Sequence, residues 1–371
     1  MRWGITITFL LLFSSLISGC MSEEGSIFPD PGEIVDEDPM ERDDENSSEI
    51  VGLNPPQLIP VDYRVASFHT APDGYTYAAM GGIMVRIINE GDAIEEITRF
   101  NQTIRSIHMT INGTFFVSTD SSVWNDTTPN RIYRSQDGGN NWDVVKTIIG
   151  GGCAIHWSIA SDDQGRLYVG EYGPTGINQS KRVWKSIDQG DTWEVIFTAD
   201  NVEGVHIHRV AIDPYTNDVW ITQGDEFEGI YRSTDEGLNF HLMRISQPTS
   251  VLFTEESIYW GEDNWSGTIT IFDRNSSNFS TAFRAYDAGT NYGGPIYDMA
   301  RGQSGMIYAP MVKYSYHTHP PTLWRGEGTS WNLTQVIQTE VGKSGGYFQI
   351  SQPDKWGNMY VFGFKIVESE M

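Results

Sequence analysis

Three short stretches of this 371-residue chain are near-copies of one another. Ser135-Gln-Asp-Gly-Gly-Asn-Asn-Trp142, Ser186-Ile-Asp-Gln-Gly-Asp-Thr-Trp193 and Ser233-Thr-Asp-Glu-Gly-Leu-Asn-Phe240 share the pattern S-x-D-x-G-x-x-[W/F]. Each follows a strand-like run of the Arg-Ile-Tyr-Arg or Val-Trp-Lys type. The spacing predicts a tight hairpin turn in which the Asp carboxylate accepts backbone N–H groups and the Gly takes a positive φ. Asp137, Asp188 and Asp235 are therefore expected to be turn formers. A carboxylate repeated at identical turns answers to architecture, not to chemistry. Trp142, Trp193 and Phe240 begin the following strand, where each large ring is expected to fill the space between neighbouring sheets, for roughly 2–3 kcal/mol of burial.

A second signature has a longer reach. A β-rich run, a polar turn and a second β-rich run recur from Val65, Ile104, His156, His208, Ser250, Ile296 and Tyr347. Starts spaced by about 40–50 residues have the period of a β-propeller with four strands per blade. No stretch shows helical periodicity, and 38 glycines suit many turns. The expected fold is all-β: a propeller of four-stranded antiparallel blades, seven by preference and six as the alternative, with the repeated turns between third and fourth strands. Residues 50–63, with Pro55, Pro56 and Pro60, are available as an edge strand that closes the ring.

On these three motifs the chain resembles the Asp-box (BNR, sialidase-type) β-propeller proteins. The resemblance implies architecture, because the motif serves sialidases, sorting receptors and binding proteins alike. Sialidases of that family carry an Arg-Ile-Pro motif near the first blade, whereas the first repeat here reads Tyr63-Arg64-Val65-Ala66. Their catalytic residues therefore do not transfer.

The N-terminal segment carries Arg2, an apolar run from Ile5 to Leu12 and then Ile17-Ser-Gly-Cys20. Residues 1–19 read as a signal peptide whose end resembles the prokaryotic lipobox, with Cys20 the lipidated residue. Between residues 21 and 49 stand twelve Asp or Glu against one Arg, so 20–49 reads as an extended acidic tether. Residues 50–371 read as a single propeller domain. Apart from Cys20 the only cysteine is Cys153, so a disulfide is not expected. A formal charge of −25 with seven Lys argues against nucleic acid partners. Nine Asn-x-Ser/Thr sites suggest a glycoprotein. Lipobox, acidity and sequons together resemble an archaeal surface lipoprotein, monomeric and held on the outer face of the membrane by its lipid alone.

Propeller geometry places the connections between second and third strands on the face opposite the repeated turns. Those connections carry Trp124, Glu171, Tyr172, Asp225, Glu226, Glu262, Asp263, Trp265, His317 and His319. The innermost strands add His206 and His208, which at i and i+2 point the same way. These residues are the ligand-binding candidates. The channel reading also admits structural or water-bridging histidines, and ring packing between blades for the tryptophans. A metal is not assigned. His-x-His pairs do suit a divalent ion at the funnel, although a third ligand at defined spacing is not evident in the sequence. His156, Tyr172 and Arg209 are the catalytic candidates, a trio similar to the His, Tyr and Arg of some propeller polysaccharide lyases. The favoured reading is a surface module binding carbohydrate or protein. Beside it stand a glycan-active hydrolase or lyase, and a non-catalytic assembly factor.

Overall fold

A computed structural model describes residues 8–14, 58–61, 65–120, 129–148, 157–172, 181–199, 206–225, 227–288, 292–312, 320–336 and 347–364. Among these residues the only helical turns are two short 3₁₀ segments, Asn89–Gly91 and Tyr286–Ala288. The rest of the regular structure is antiparallel sheet, arranged as a β-propeller of four-stranded blades.

Six blades are each built from four consecutive strands. Their first strands are Val65–Thr70, Thr103–Met109, Ile159–Ser161, His206–Ile212, Pro248–Phe253 and Ala300–Arg301. A further four-stranded sheet is composite, with the order Leu58–Val61, Thr8–Ser14, Asn358–Phe364, Tyr347–Ile350. The segment expected to close the ring thus supplies the outer strand of that sheet. The strand Thr8–Ser14, inside the stretch read from sequence as a signal peptide, pairs between it and Asn358–Phe364. Contacts from this sheet reach the first blade. Lys355 N–H donates to Gly74 C=O at 2.7 Å, Asn358 Nδ2 to Glu90 C=O at 2.9 Å, and the Trp356 and Tyr75 rings meet edge-on at 5.6 Å.

Burial follows position in the blade. Second strands are covered on both faces: Val219–Gly224 and Ile307–Met311 are buried at every residue. Outer strands such as His241–Arg244 are exposed to half-buried. The core therefore lies between sheets, and each cluster joins two neighbours, as where Tyr77, Ala79 and Met84 meet Ile104, Phe115 and Val117. Burying such side chains stabilises by about 1.5–3 kcal/mol each.

The three repeated turns join third to fourth strands and share one hydrogen-bond pattern. Asp137 accepts the Asn141 N–H, Asp188 the Thr192 N–H and Asp235 the Asn239 N–H, each within 2.8–2.9 Å. The Ser Oγ accepts the Gly N–H in each, from Gly139, Gly190 and Gly237. Side-chain donors of Thr192, Asn239 and Asn141, together with those residues' N–H groups, hold the three carboxylates below their ordinary pKa. The glycines have φ of 96°, 92° and 90°. Trp142, Trp193 and Phe240 pack into clusters between adjacent blades. The basic residue before the Ser has a function of its own: Arg134 donates to Gln189 C=O and Lys185 to Glu236 C=O, clamping the equivalent turn of the next blade.

Candidate functional site

On the face opposite those turns, the second strands of three successive blades end in a glycine and an acid: Gly170-Glu171, Gly224-Asp225 and Gly261-Glu262. The glycine is needed for packing. A Cβ at Gly224 would lie 2.1 Å from His208 Cε1, and one at Gly261 2.2 Å from Ser250 Oγ. The acids serve three different ends. Glu171 is fully buried and saturated, accepting Arg182 Nε and Nη2 at 3.0 Å each and Trp184 Nε1 at 2.8 Å. Glu262 is also buried, accepting from Ser246 Oγ at 2.5 Å and Thr270 Oγ1 at 2.9 Å. Burial raises its pKa against the pull of those hydroxyls. Asp225 alone opens to solvent, with 42 % of its side chain exposed.

Asp225 stands at the channel mouth with His206 and His208. Between Ile207 and Arg209 the register of the innermost strand slips against its partner, and His208 is the residue inserted. Such a bulge re-aims a side chain. The two imidazoles end 4.8 Å apart, both buried, with their Nε2 atoms each 3.6 Å from one oxygen of Asp225. Burial works against the Asp225 carboxylate, but the close approach of the His208 and His206 imidazoles holds its pKa down. Tyr172 covers the pair, its ring 4.3 Å from His206 and 6.4 Å from His208. Trp157 stacks on Tyr297 at 5.3 Å beside them. Arg209, one residue on, reaches the next blade: Nη1 donates to Thr249 C=O, and burial lowers its pKa to about 10.

A cleft of about 350 Å³ opens farther out on the same face, between the fourth and fifth blades. Arg244, Arg284, Glu228, Asp287 and Asn264 contribute its polar lining, and Glu262 lies among them. Trp265 and Tyr286 also line it, exposed by 53 % and 45 % and meeting edge-on at 4.9 Å. Gln247 links cleft and channel mouth: its Oε1 accepts the Asp225 N–H, and its Nε2 donates to Asp263 C=O. Asp263, Glu262 and Trp265 are therefore neighbours, as their sequence adjacency requires, and Asp225 is tied to them through one side chain. Arg244, Arg284 and Tyr286 come from the outer strands of two neighbouring blades and the turn after one of them, positions that no repeat in the sequence marks.

A second cavity, about 430 Å³, lies at the other end of the channel. His69 and His108 line it, their rings 4.8 Å apart. His69 Nε2 accepts the Met109 N–H at 2.9 Å, and His108 Nε2 lies 2.8 Å from Ser161 Oγ. Burial lowers the His69 pKa to about 4; it takes His108 well down too, helped by the neighbouring His69. The recurrence of His five residues into the first two repeats, in Ser67-Phe-His69 and Ser106-Ile-His108, was the available signal. Cys20, Trp124, His156, Glu226, His317 and His319 fall outside the described residues.

No protein-family model matches the sequence, and no curated protein matches it. Solved structures match in fold. The Niastella koreensis GH74 enzyme aligns with a TM-score of 0.57 at 15% identity, over 73% of this chain and 45% of its own. The GH74 xyloglucanase from Xanthomonas campestris gives 0.57 at 13%, over 75% and 46%. The extracellular domain of BT4673 from B. thetaiotaomicron gives 0.56 at 11%, over 83% and 39%. This chain therefore spans less than half the length of these three structures. At such identities the likeness is one of fold: the chain is a β-propeller.

Proposed function

We propose that the protein is a carbohydrate-binding propeller that takes its ligand in the Trp265 cleft and does not turn it over. The observation that carries this reading is the pairing of two exposed aromatic rings, Trp265 and Tyr286, with a polar cleft lined by carboxylates and guanidinium groups. A sugar ring presents an apolar C–H face and a rim of hydroxyls, which an aromatic platform beside charged hydrogen-bonding groups matches. A xyloglucanase among the propellers similar in fold accords with a glycan ligand. Binding without turnover is favoured because Glu262, the buried acid of the cleft, has both oxygens engaged by Ser246 and Thr270. A general acid needs to reach the bond it cleaves.

On this reading residues 1–19 would be removed, taking the strand Thr8–Ser14 with them, and Cys20 with residues 20–49 would display the six consecutive-strand blades outside the cell as a lipid-anchored monomer. Among the described residues no helix is long and apolar enough to cross a membrane. The test is retention on acidic and neutral polysaccharides, with the products assayed for new reducing ends and unsaturated sugars. Retention without products supports the proposal. Products lost in His156→Ala would make it an enzyme, and the absence of both retention and products would favour a protein partner.

A further inference from the structure

We propose that His206, His208 and Asp225 form a divalent transition-metal site at the channel mouth, with Zn²⁺ the ion best suited to it. One ligand atom from each of the three lies within 4.8 Å of the others. Each imidazole Nε2 is 3.6 Å from a separate oxygen of the same carboxylate. That separation is too long for a good hydrogen bond. It is close to the spacing of about 3.3 Å that donors about 2.0–2.1 Å from a tetrahedral Zn²⁺ keep between them, so an ion would close the two His–Asp separations by a few tenths of an ångström and the widest in the set, within 4.8 Å, by up to roughly 1.5 Å.

The backbone holds the donors in place. The bulge at His208 turns the second imidazole to the same side as the first. Asp225 has φ of 73°, a left-handed conformation unusual for a residue with a side chain, and its N–H is tied to Gln247 Oε1 at 3.0 Å. Gly224 leaves the His208 ring the space that any Cβ there would take. Backbone strain of this kind persists where the surroundings impose it. Two buried imidazoles and one carboxylate suit zinc and its neighbours in the first transition row, not calcium or magnesium, which take oxygen ligands. Three protein ligands leave a fourth position for water or for a ligand oxygen entering the mouth.

The test uses the purified full chain, stripped with chelator and titrated with ZnCl₂ in excess Ca²⁺, with bound metal counted by elemental analysis and the fold followed by circular dichroism. One Zn²⁺ per chain and a rise in Tm are expected. His206→Ala and Asp225→Asn should each weaken binding by at least the roughly 10–100-fold that loss of a mere outer-shell partner costs. Asp225→Asn keeps shape and removes only the charge, so it separates ligand loss from misfolding. Co²⁺ should give a visible d–d absorption that vanishes in the same variants. Absence of stoichiometric Zn²⁺, or binding unchanged in both variants and so due to surface carboxylates only, would overturn the proposal. The readout is independent of glycan binding.

Discussion

A Cβ added to Gly139 would lie 2.5 Å from Cγ2 of Ile97, on the outer strand of the preceding blade. The relation repeats, with Gly190 against Val145 and Gly237 against Ile196. The glycine of the repeated turn is thus required twice, for its left-handed φ and for the approach of one blade to the next. Gly139→Ala should destabilise by about 1–3 kcal/mol, more than the same change at Gly138, where no atom stands within 4 Å of the new Cβ. Urea unfolding of the two variants measures the difference. Equal losses would mean that φ alone sets the requirement, since Gly138 also has a positive φ of 75°.

The cavity around His69 and His108 makes stability depend on acid. The folded pKa of His69, about 4, is below the unfolded value of 6.5, so between these pH values the unfolded chain binds a proton that the folded chain refuses. Stability from this residue is intact above pH 6.5 and falls as pH drops towards 4, by up to roughly 3 kcal/mol. His108, depressed for the same reason, adds to the loss. His69→Gln keeps an acceptor for the Met109 N–H and removes the titration. Unfolding midpoints measured from pH 7 to 4 should fall less steeply in that variant than in the parent.

Glu262 has the opposite linkage. Its folded pKa is raised by burial, so the folded chain holds the proton more readily than the unfolded one. The contribution is fully present below the unfolded pKa and is lost as pH rises through the folded value. Glu262→Gln, which keeps an oxygen for the hydroxyls of Ser246 or Thr270, should leave stability unchanged in acid and raise it at neutral pH. Thermal melts of parent and variant at the two pH values check the sign.

The architecture was legible because it rests on local rules repeated many times. Ser, Asp, Gly and an aromatic ring at fixed offsets define a turn by backbone chemistry alone, and the spacing of the turns defines the blades. The composite sheet was legible only in part: residues 50–63 were recognised as an edge strand, but a strand at Thr8–Ser14 follows from pairing across more than 340 residues, which no local pattern encodes. The site is a different matter. Glu171, Asp225 and Glu262 are equivalent in sequence, and only the side chains around them make one a structural anchor, one a buried acid and one an open carboxylate. Tyr286 meets Trp265 from the turn beyond the blade's last strand, a juxtaposition set by the fold and not by spacing.

If Trp265 forms the platform of a glycan site, the Kd of the best-retained polysaccharide for the parent protein and for Trp265→Ala measures it most directly. Trp265 is half exposed, so its loss should change folding stability by no more than about 0.5 kcal/mol. The account predicts affinity weakened by at least about tenfold, or roughly 1.4 kcal/mol, with Tm preserved and no new reducing ends or unsaturated products from either protein. Affinity unchanged by Trp265→Ala, or products formed by the parent, would contradict it.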